Sequence, residues 1–288
     1  MLSYSQHANA SDRVVRDVER VIAQGKTAFQ SYLLLQSAAY GTCIALDGDI
    51  QSCAADEALY HEALVHPALL LHPNPKRVLI MGGGEGATSR EVLRHPGVER
   101  VVMVDIDTDF VQVCKQHIPE WNAGAFDDPR HDIRFEDINC FIAETDLKFD
   151  VVIGDLVDFA DDQSIAAGFY SDRFYSSLKA CLATDAILAT QAGPLSTATL
   201  AHHRTIRSAL QTAFGSVLSY GVTVPSFYAL WGFLVAGPAL ASLEADVVGN
   251  ALKRAGLDRN IDPPALGLAA LAGSFALPKL LRDAMDDA

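Results

Sequence analysis

The residues best suited to chemistry lie in one short stretch, Arg77 to His95, which reads RVLIMGGGEGATSREVLRH. Gly82, Gly84 and Gly86 can adopt positive φ angles and let a ligand approach the backbone, while the amides of the following helix start supply a small positive field. This pattern predicts a nucleoside site, with a tight structural turn as the alternative. The ending of an ATPase phosphate loop is missing, because Ala-Thr follows the last glycine where Lys-Ser/Thr would be needed.

Glu85 is the unusual residue of this loop, because a carboxylate there repels the phosphates of a dinucleotide and the carboxylate of S-adenosylmethionine. It attracts an ammonium group instead. The formal net charge of −14, from 36 acidic and 22 basic residues, also opposes binding to nucleic acid and to anionic membranes. A simpler interpretation of this charge is that it keeps the protein soluble. Glu85 itself favours a cationic nucleoside as the ligand.

Acidic residues follow three further apolar runs of strand type. Asp105 comes about twenty residues after the glycines, where a carboxylate can accept both ribose hydroxyls. Asp137 is placed to accept a hydrogen bond from an adenine amino group, or else to cap a helix. Asp155 and Asp158 follow the fourth run. Ligands of parallel sheets bind beyond the carboxyl ends of the strands, so we expect these acids at one ligand-binding edge.

The elements that position these residues follow from the hydrophobic pattern. From residue 77 to residue 213, strand-type and helical segments alternate, which predicts a parallel sheet covered on both faces. Two closing runs, 216–224 and 231–236, are too close together for a helical crossover and should pair antiparallel. The predicted fold class is α/β, a Rossmann-like, mostly parallel sheet of methyltransferase type with a small N-terminal antiparallel β domain.

We predict that residues 1–60 form the β domain and residues 61–288 the Rossmann-like catalytic domain with a helical C-terminal tail. Strand-type runs fill residues 28–52, and Asp47-Gly48 is a strong hairpin signal because both residues of such a turn need positive φ. Before these strands the sequence predicts a polar lead-in with a short helix around Val14 to Ile22. After them it predicts a helix over residues 55–71 that breaks at Pro67.

Composition argues against several classes of protein. No apolar run approaches the roughly 20 residues that span a bilayer, and the N-terminus lacks the apolar core of a signal peptide. We therefore expect a cytoplasmic protein without membrane or nucleic-acid partners. The five cysteines form no Cys-x-x-Cys pair, which argues against a disulfide framework or a zinc site, and we predict no metal.

Longer motifs, taken together, point to a known family. They include Leu46-Asp47-Gly48-Asp49-Ile50-Gln51, Tyr60-His61-Glu62, Gly82-Gly83-Gly84-Glu85-Gly86 and Asp155 with Asp158. Over roughly residues 25 to 237 the chain resembles the polyamine aminopropyltransferases, the spermidine and spermine synthase family. Within that family, three segments resemble the thermospermine synthase branch: Gly154-Asp155-Leu156-x-Asp158, Thr190-Gln191-Ala192-Gly193-Pro194 and Val224-Pro225-Ser226-Phe227.

The resemblance implies a reaction and its co-substrate. A polyamine nitrogen attacks the aminopropyl methylene of decarboxylated S-adenosylmethionine, and 5′-methylthioadenosine leaves, with no metal and no tightly bound cofactor. By resemblance Asp155 holds and deprotonates the attacking ammonium, assisted by the Tyr60 hydroxyl, while Asp158 anchors the amine. The resemblance also implies a homodimer.

The resemblance further implies where the donor binds. Glu85 holds its aminopropyl ammonium, Asp105 its ribose and Asp137 the adenine edge. The other residues implied for the donor site are Gln30, Gln51 and His61, together with the glycines Gly82, Gly84 and Gly86. The residues implied for the acceptor are Asp158, Gln191 and Phe227.

Two phenylalanines depart from the family pattern. Phe159 stands where the family usually has proline, and Phe227 stands near a tyrosine that helps hold the acceptor in spermidine synthases. A more apolar pocket suits a longer polyamine, so spermidine is one expected acceptor, giving thermospermine, and putrescine is the other, giving spermidine. Asp161 and Asp162 could meet the far ammonium of a long acceptor or could lie in a solvated loop.

Two other functions stay open from the sequence. A small-molecule methyltransferase that uses S-adenosylmethionine could share this sheet, but Glu85 opposes the donor carboxylate that such an enzyme must accept. A non-catalytic polyamine-binding relative is the other alternative, and only Phe159 and Phe227 support it.

Overall fold

The N-terminal region forms two antiparallel sheets in this computed structural model, which describes residues 2–7, 11–157, 166–243 and 245–286. The turn between the last two strands of the second sheet has Asp47 at φ +47° and Gly48 at φ +95°, which confirms the predicted hairpin. The first sheet pairs β1 (Leu2–His7) with β2 (Arg13–Val18), and the second contains β3 (Arg20–Lys26), β4 (Ser31–Ser37), β5 (Gly41–Leu46) and β6 (Asp49–Cys53).

The helix expected around residues 14–22 does not form, and that prediction was wrong. β2 and β3 occupy the stretch instead. β2 pairs with β1 and β3 pairs with β4, so the backbone finds hydrogen-bond partners that a local sequence pattern does not reveal. The β-branched residues of this stretch also suit a pleated strand.

The first helix, α1 (Glu57–Leu71), continues through Pro67, so the predicted break was wrong. A proline removes the hydrogen bond to the carbonyl four residues earlier, here that of Ala63. The buried Tyr220 hydroxyl donates to this carbonyl at 2.9 Å and replaces the missing amide. α1 crosses the predicted domain boundary after residue 60, and that boundary stays a prediction.

The rest of the described chain builds a seven-stranded sheet with helices on both faces. Its strand order is β12-β13-β11-β10-β7-β8-β9; neighbours from β9 to β11 are parallel, whereas β13 is antiparallel to both of its neighbours. The predicted Rossmann-like fold is confirmed. The strands are β7 (Arg77–Gly82), β8 (Arg100–Asp105), β9 (His131–Phe135), β10 (Phe149–Asp155), β11 (Leu182–Pro194), β12 (Val217–Val224) and β13 (Ala229–Ala236).

The helices after α1 cover the two faces of this sheet. Along β7, Val78 and Ile80 belong to the core that contains α1, while Leu79 and Met81 belong to the core on the other face, as the two-residue period of a strand requires. These helices are α2 (Ala87–Leu93), α3 (Thr108–His117), α4 (Pro119–Asn122), α5 (Ile138–Glu144), α6 (Asp172–Leu178), α7 (Leu200–Phe214), α8 (Ala245–Arg259), α9 (Gly267–Gly273) and α10 (Lys279–Asp286).

The described helices include none that is long and apolar enough to cross a membrane. The cytoplasmic location stays a prediction. The thiols of all five cysteines are free, and only Cys140 among them is exposed.

Candidate active site

The strand order of the main sheet reverses between β7 and β10, where Gly82 lies opposite Asp155. Sheets of this kind bind ligands at such a point, beyond the carboxyl ends of the strands. Gly82 has φ +78°, and a Cβ atom there would lie 2.3 Å from the carbonyl oxygen of Asp155. Gly86 has φ +85°, and its Cβ would lie 2.5 Å from the ring of Phe126. Positions 82 and 86 of the loop therefore require glycine.

Two charged pairs hold the side chain of His61 beside the glycine loop. Its Nε2 lies 2.8 Å from Glu85 Oε1, and its Nδ1 lies 2.9 Å from Glu57 Oε2. Arg90 donates from its two terminal nitrogens to both oxygens of Glu57, at 3.0 and 2.9 Å. A bidentate guanidinium of this kind fixes the carboxylate in one orientation. The set Glu57, His61, Glu85, Arg90 and Asp105, which includes three residues predicted to bind the donor, is called the donor half of the site below.

The charges of this group are set by its hydrogen bonds. Burial lowers the pKa of His61, but the hydrogen bonds that it donates to Glu57 and Glu85 outweigh burial and raise that pKa well above its usual range. Burial raises the pKa of Glu57, and the opposing contacts of His61 and Arg90 bring it down to about 2. At neutral pH, His61 and Arg90 are therefore positively charged and Glu57 is negatively charged.

Asp155 ends β10 and accepts two hydrogen bonds from side chains. The Tyr60 hydroxyl donates to its Oδ1 at 3.2 Å, and the Thr88 hydroxyl donates to its Oδ2 at 2.6 Å. Burial, followed by the charge of Glu85, raises the pKa of Asp155 to about 6, while His61 and the two hydroxyls act in the opposite direction. A carboxyl group with this pKa is ionised at neutral pH and accepts a proton more readily than an ordinary aspartate.

Asp105 lies at the end of β8 beside the glycine loop, and its Oδ2 would be 3.0 Å from a Cβ atom on Gly84. Its Oδ1 accepts the backbone N–H of Asp107 at 2.8 Å. Burial raises the pKa of Asp105 to about 6. Gln30 reaches Asp107 rather than Asp105, since its side-chain amide donates to Asp107 Oδ2 at 2.9 Å. Gln30 thus ties the β domain to the donor half.

Two residues predicted to bind the donor form hydrogen bonds with residues close to them in sequence. Asp137 caps α5, accepting the backbone N–H of Asn139 at 2.7 Å and its side-chain amide at 2.9 Å. The Gln51 side-chain amide donates to the Asp49 carbonyl at 3.3 Å. Their assignment to the donor stays a prediction, and helix capping, the alternative for Asp137, is observed.

Aromatic rings and backbone contacts lie around Tyr60 and around Leu156, the residue that follows Asp155. Phe227 lies with its ring centroid 5.9 Å from that of Tyr60 and 4.7 Å from that of Trp231. The Gln191 amide donates to the Leu156 carbonyl at 3.2 Å and to the Tyr170 hydroxyl at 3.0 Å. The set Tyr170, Gln191, Phe227 and Trp231 is called the acceptor half below. Asp158, Phe159, Asp161 and Asp162 lie outside the described residues.

The segment before Phe227 is fixed by two charged side chains of the N-terminal region. The Ser226 carbonyl accepts a hydrogen bond from Arg16 on β2, and the Ser226 N–H donates to Asp56 Oδ2 at 2.6 Å. The Arg16 guanidinium also lies 5.2 Å from the Tyr40 ring centroid. The position of Phe227 thus depends on the first sheet.

Sequence reasoning did not assign a role to Glu57, Thr88, Arg90 or Asp107. Glu57 precedes His61 by one helical turn, a spacing that brings side chains together and could have revealed this pair. Asp107 follows Asp105 by two residues after a strand, which is also a visible signal. Thr88 and Arg90 contact partners 67 and 33 residues away in sequence, and no local pattern reports such contacts.

His61, Glu85 and Asp155 each place one possible ligand atom within 4.8 Å of the others. Such a group attracts a cation. Both nitrogens of His61 already face oxygen acceptors, so the ring offers a lone pair to a metal only after it has lost a proton. An ammonium group, which donates hydrogen bonds to carboxylates, fits this arrangement better.

The fold and the site together define a Rossmann-like enzyme of methyltransferase-type architecture. Residues 57–244 match the family described as spermine/spermidine synthase domain, and residues 4–53 match the spermidine synthase tetramerisation domain. The chain belongs to the spermine/spermidine synthase family. This confirms the resemblance at the level of the family; the thermospermine branch stays a prediction.

Individual relatives agree with this assignment. The chain is 45% identical to a polyamine aminopropyltransferase of Aeropyrum pernix over 77% of this chain and 70% of that protein. It is 43% identical to polyamine aminopropyltransferase 2 of Pseudomonas aeruginosa over 78% of this chain and 64% of that protein, slightly under two thirds of its length. A spermidine synthase solved in complex with the transition-state analogue AdoDATO shares the fold, with a TM-score of 0.86, 23% identity and coverage of 99% and 95% of the two chains.

Proposed function

We propose that this protein transfers the aminopropyl group of decarboxylated S-adenosylmethionine to a polyamine nitrogen and releases 5′-methylthioadenosine. The observation that carries the proposal is the position of Asp155, which accepts a hydrogen bond from Tyr60 at 3.2 Å next to the His61–Glu85 pair. A proton acceptor therefore lies beside a site for a cation. The names of the related aminopropyltransferases support the same reaction.

The reaction needs a deprotonated amine in line with the donor sulfur. The amine nitrogen forms a bond to the methylene carbon, the carbon–sulfur bond breaks, and the sulfonium becomes a neutral thioether. An alkyl ammonium has a pKa of about 10.4 in water, so a nearby carboxylate must hold it and take its proton. Asp155 has that role in our proposal, with Tyr60 orienting it and Asp158 anchoring the amine.

The donor half binds the cationic end of the donor in this proposal. Glu85, held by His61, accepts hydrogen bonds from the aminopropyl ammonium, and Asp105 accepts those of the ribose. Decarboxylated S-adenosylmethionine is a co-substrate here. Its lack of a carboxylate matters, because Glu85 and Asp155 would repel that group in the parent compound.

We propose spermidine as the acceptor and thermospermine as the product. Phe227 supports this choice, because its ring packs against Tyr60 and Trp231 and gives the acceptor half an apolar wall that a long methylene chain can follow. The three motifs that resemble the thermospermine branch support it as well.

We also propose that copies of the chain associate through the N-terminal strands. Leu2 and Val15 expose 58% and 65% of their surface there, and Val15 lies within residues 4–53, which match the tetramerisation domain. Our expectation is a homodimer, and light scattering of the purified protein distinguishes it from a tetramer.

A product assay tests the proposed function. Decarboxylated S-adenosylmethionine is offered with putrescine, agmatine, cadaverine, spermidine or norspermidine separately, and products are identified by chromatography and mass spectrometry. Thermospermine from spermidine is the expected result, and spermidine from putrescine would correct the acceptor. S-adenosylmethionine is offered in parallel, and product formed only from that compound would favour a methyltransferase. Amine binding without turnover would favour a non-catalytic relative.

A further inference from the structure

The hydrogen bonds of His61 within the described chain all go to oxygen atoms. Nδ1 lies 2.7 Å from the Glu57 carbonyl and 2.9 Å from Glu57 Oε2, and Nε2 lies 2.8 Å from Glu85 Oε1. Ionised carboxylates and carbonyls only accept hydrogen bonds, so each ring nitrogen must carry its own hydrogen. His61 is therefore an imidazolium in this arrangement.

Groups on every neighbouring element act on this imidazolium. Its own helix brings Glu57, the glycine loop brings Glu85 and β10 brings Asp155, while Arg90 on α2 binds the far side of Glu57. The hydrogen bonds and charges of Glu57 and Glu85 outweigh burial and raise the pKa of His61.

Tyr60 packs its ring edge-on against His61, with centroids 5.0 Å apart, and keeps water from that face of the imidazole. The Glu85 side chain is only 16% exposed, so solvent screens its surroundings weakly. A second cation at Glu85 would therefore meet an unscreened positive charge one hydrogen bond away.

We propose that the ammonium of the donor takes the place of the Nε2 proton of His61, so that donor binding releases one proton to solvent. This inference rests on the proposed function. The arriving ammonium donates one N–H to Glu85 and another to the Nε2 lone pair that the lost proton leaves free. The ammonium brings one positive charge to the Glu57–His61–Glu85 group and the released proton takes one away, so the charge of this group stays constant apart from that of the donor sulfonium.

Glu57 is the positioning residue for this exchange. It keeps the remaining proton on Nδ1 through its carbonyl and its carboxylate, which leaves Nε2 as the nitrogen that faces the donor. Arg90 in turn prevents Glu57 from turning away. When the aminopropyl group has been transferred, its ammonium leaves with the product and His61 takes up a proton again.

Titration calorimetry of the full-length protein at pH 8 tests the exchange. Asp105 and Asp155 both have a pKa of about 6, so they are already ionised at this pH and release little. Decarboxylated S-adenosylmethionine and 5′-methylthioadenosine are each titrated in two buffers of different ionisation enthalpy. The two ligands differ in the aminopropyl ammonium and in the sulfonium charge. Only the ammonium reaches Glu85 in our proposal, so a difference in proton release is assigned to that group.

We expect release of about one proton per site with the donor and about none with 5′-methylthioadenosine. The donor Kd should accordingly fall about tenfold for each unit of rising pH between 7.5 and 8.5, while that of 5′-methylthioadenosine stays constant. Donor binding without proton release would overturn the inference and leave the proposed function intact. Equal release with both ligands would overturn it as well, whereas binding of neither ligand would reject the proposed function itself.

A matched pair of variants locates the proton. Glu57→Gln removes the negative charge at Nδ1, lowers the pKa of His61 and should abolish most of the release at pH 8. Glu91→Gln removes a carboxylate that also binds Arg90, at 2.7 Å, but faces His66, so the release should persist. Unchanged release in Glu57→Gln would contradict the role of Glu57. If either variant fails to fold, the comparison of the two ligands on the unmodified protein still decides the inference.

Discussion

On the donor half, His61 is held between Glu57 and Glu85 by hydrogen bonds of 2.9 and 2.8 Å between charged groups. On the acceptor half, Phe227 is held by ring contacts, with centroids 4.7 to 5.9 Å apart. Charged hydrogen bonds are directional and fix both position and protonation, whereas ring packing fixes mainly shape. In our proposal, the chemistry of the donor is therefore built into one half, while the exchange of a ring in the other half changes the acceptor.

Asp155 stands between the halves, and its replacement should give the largest effect. We expect Asp155→Asn to lower turnover roughly 100-fold or more, the scale of a lost proton acceptor, while the donor Kd changes little. A carboxyl group whose pKa is raised in the folded state destabilises that state above this pKa, so we expect no loss of Tm at pH 8. Steady-state kinetics measures turnover, calorimetry measures the donor Kd and thermal unfolding measures the Tm, with Asp132→Asn on β9 as a control. Full turnover in Asp155→Asn would reject its assignment.

Thr88 sharpens the comparison, because it lies outside both sets and its hydroxyl donates to Asp155 in the described part of the chain. Thr88→Val removes a 2.6 Å hydrogen bond to the ionised carboxylate, which is worth about 1.5 to 3 kcal/mol. The pKa of Asp155 then rises above about 6. Activity requires the ionised form of Asp155 and falls as the pH drops through this pKa. The acid limb of the kcat profile should therefore move to higher pH. Near neutral pH we expect kcat to fall about tenfold. Ser89→Ala, whose hydroxyl pairs with His131, should leave the limb in place.

Phe227 tests whether the two halves are independent. We expect Phe227→Tyr to lower the ratio of kcat/KM for spermidine over putrescine about tenfold, because a hydroxyl in an apolar wall favours an ammonium at a shorter distance. The donor Kd, measured by calorimetry, should stay within about twofold. A large change in donor affinity would break the division into two halves.

Arg16 should give the smallest effect. Arg16→Gln weakens the hold on the Ser226 carbonyl, and we expect the KM for the acceptor to rise about threefold, consistent with one lost hydrogen bond. The donor KM should not change. An equal rise in both constants would indicate a general loss of structure instead.

The main sheet was predictable because each of its strands and helices carries its own periodic pattern and its own breakers. Strands β2 and β3 were not predictable in this way, because pairing with β1 and β4, rather than a local sequence pattern, makes these segments strands. In the site, the acids at strand ends were visible in the sequence. The hydroxyl of Thr88 and the guanidinium of Arg90 were not, because their partners are distant in sequence and the distances between side chains come from the fold.

The hydrogen bond between Tyr220 and Ala63 restricts the order in which substitutions can accumulate during evolution. The Tyr220 hydroxyl serves a carbonyl that Pro67 deprives of its amide, so the two side chains depend on each other across 153 positions of the chain. A lineage that loses the hydroxyl first leaves a buried carbonyl unsatisfied, at a cost of about 1 to 3 kcal/mol. A lineage that first replaces the proline restores the amide and can then lose the hydroxyl freely. The order of the two substitutions, rather than either one alone, decides which descendants remain folded.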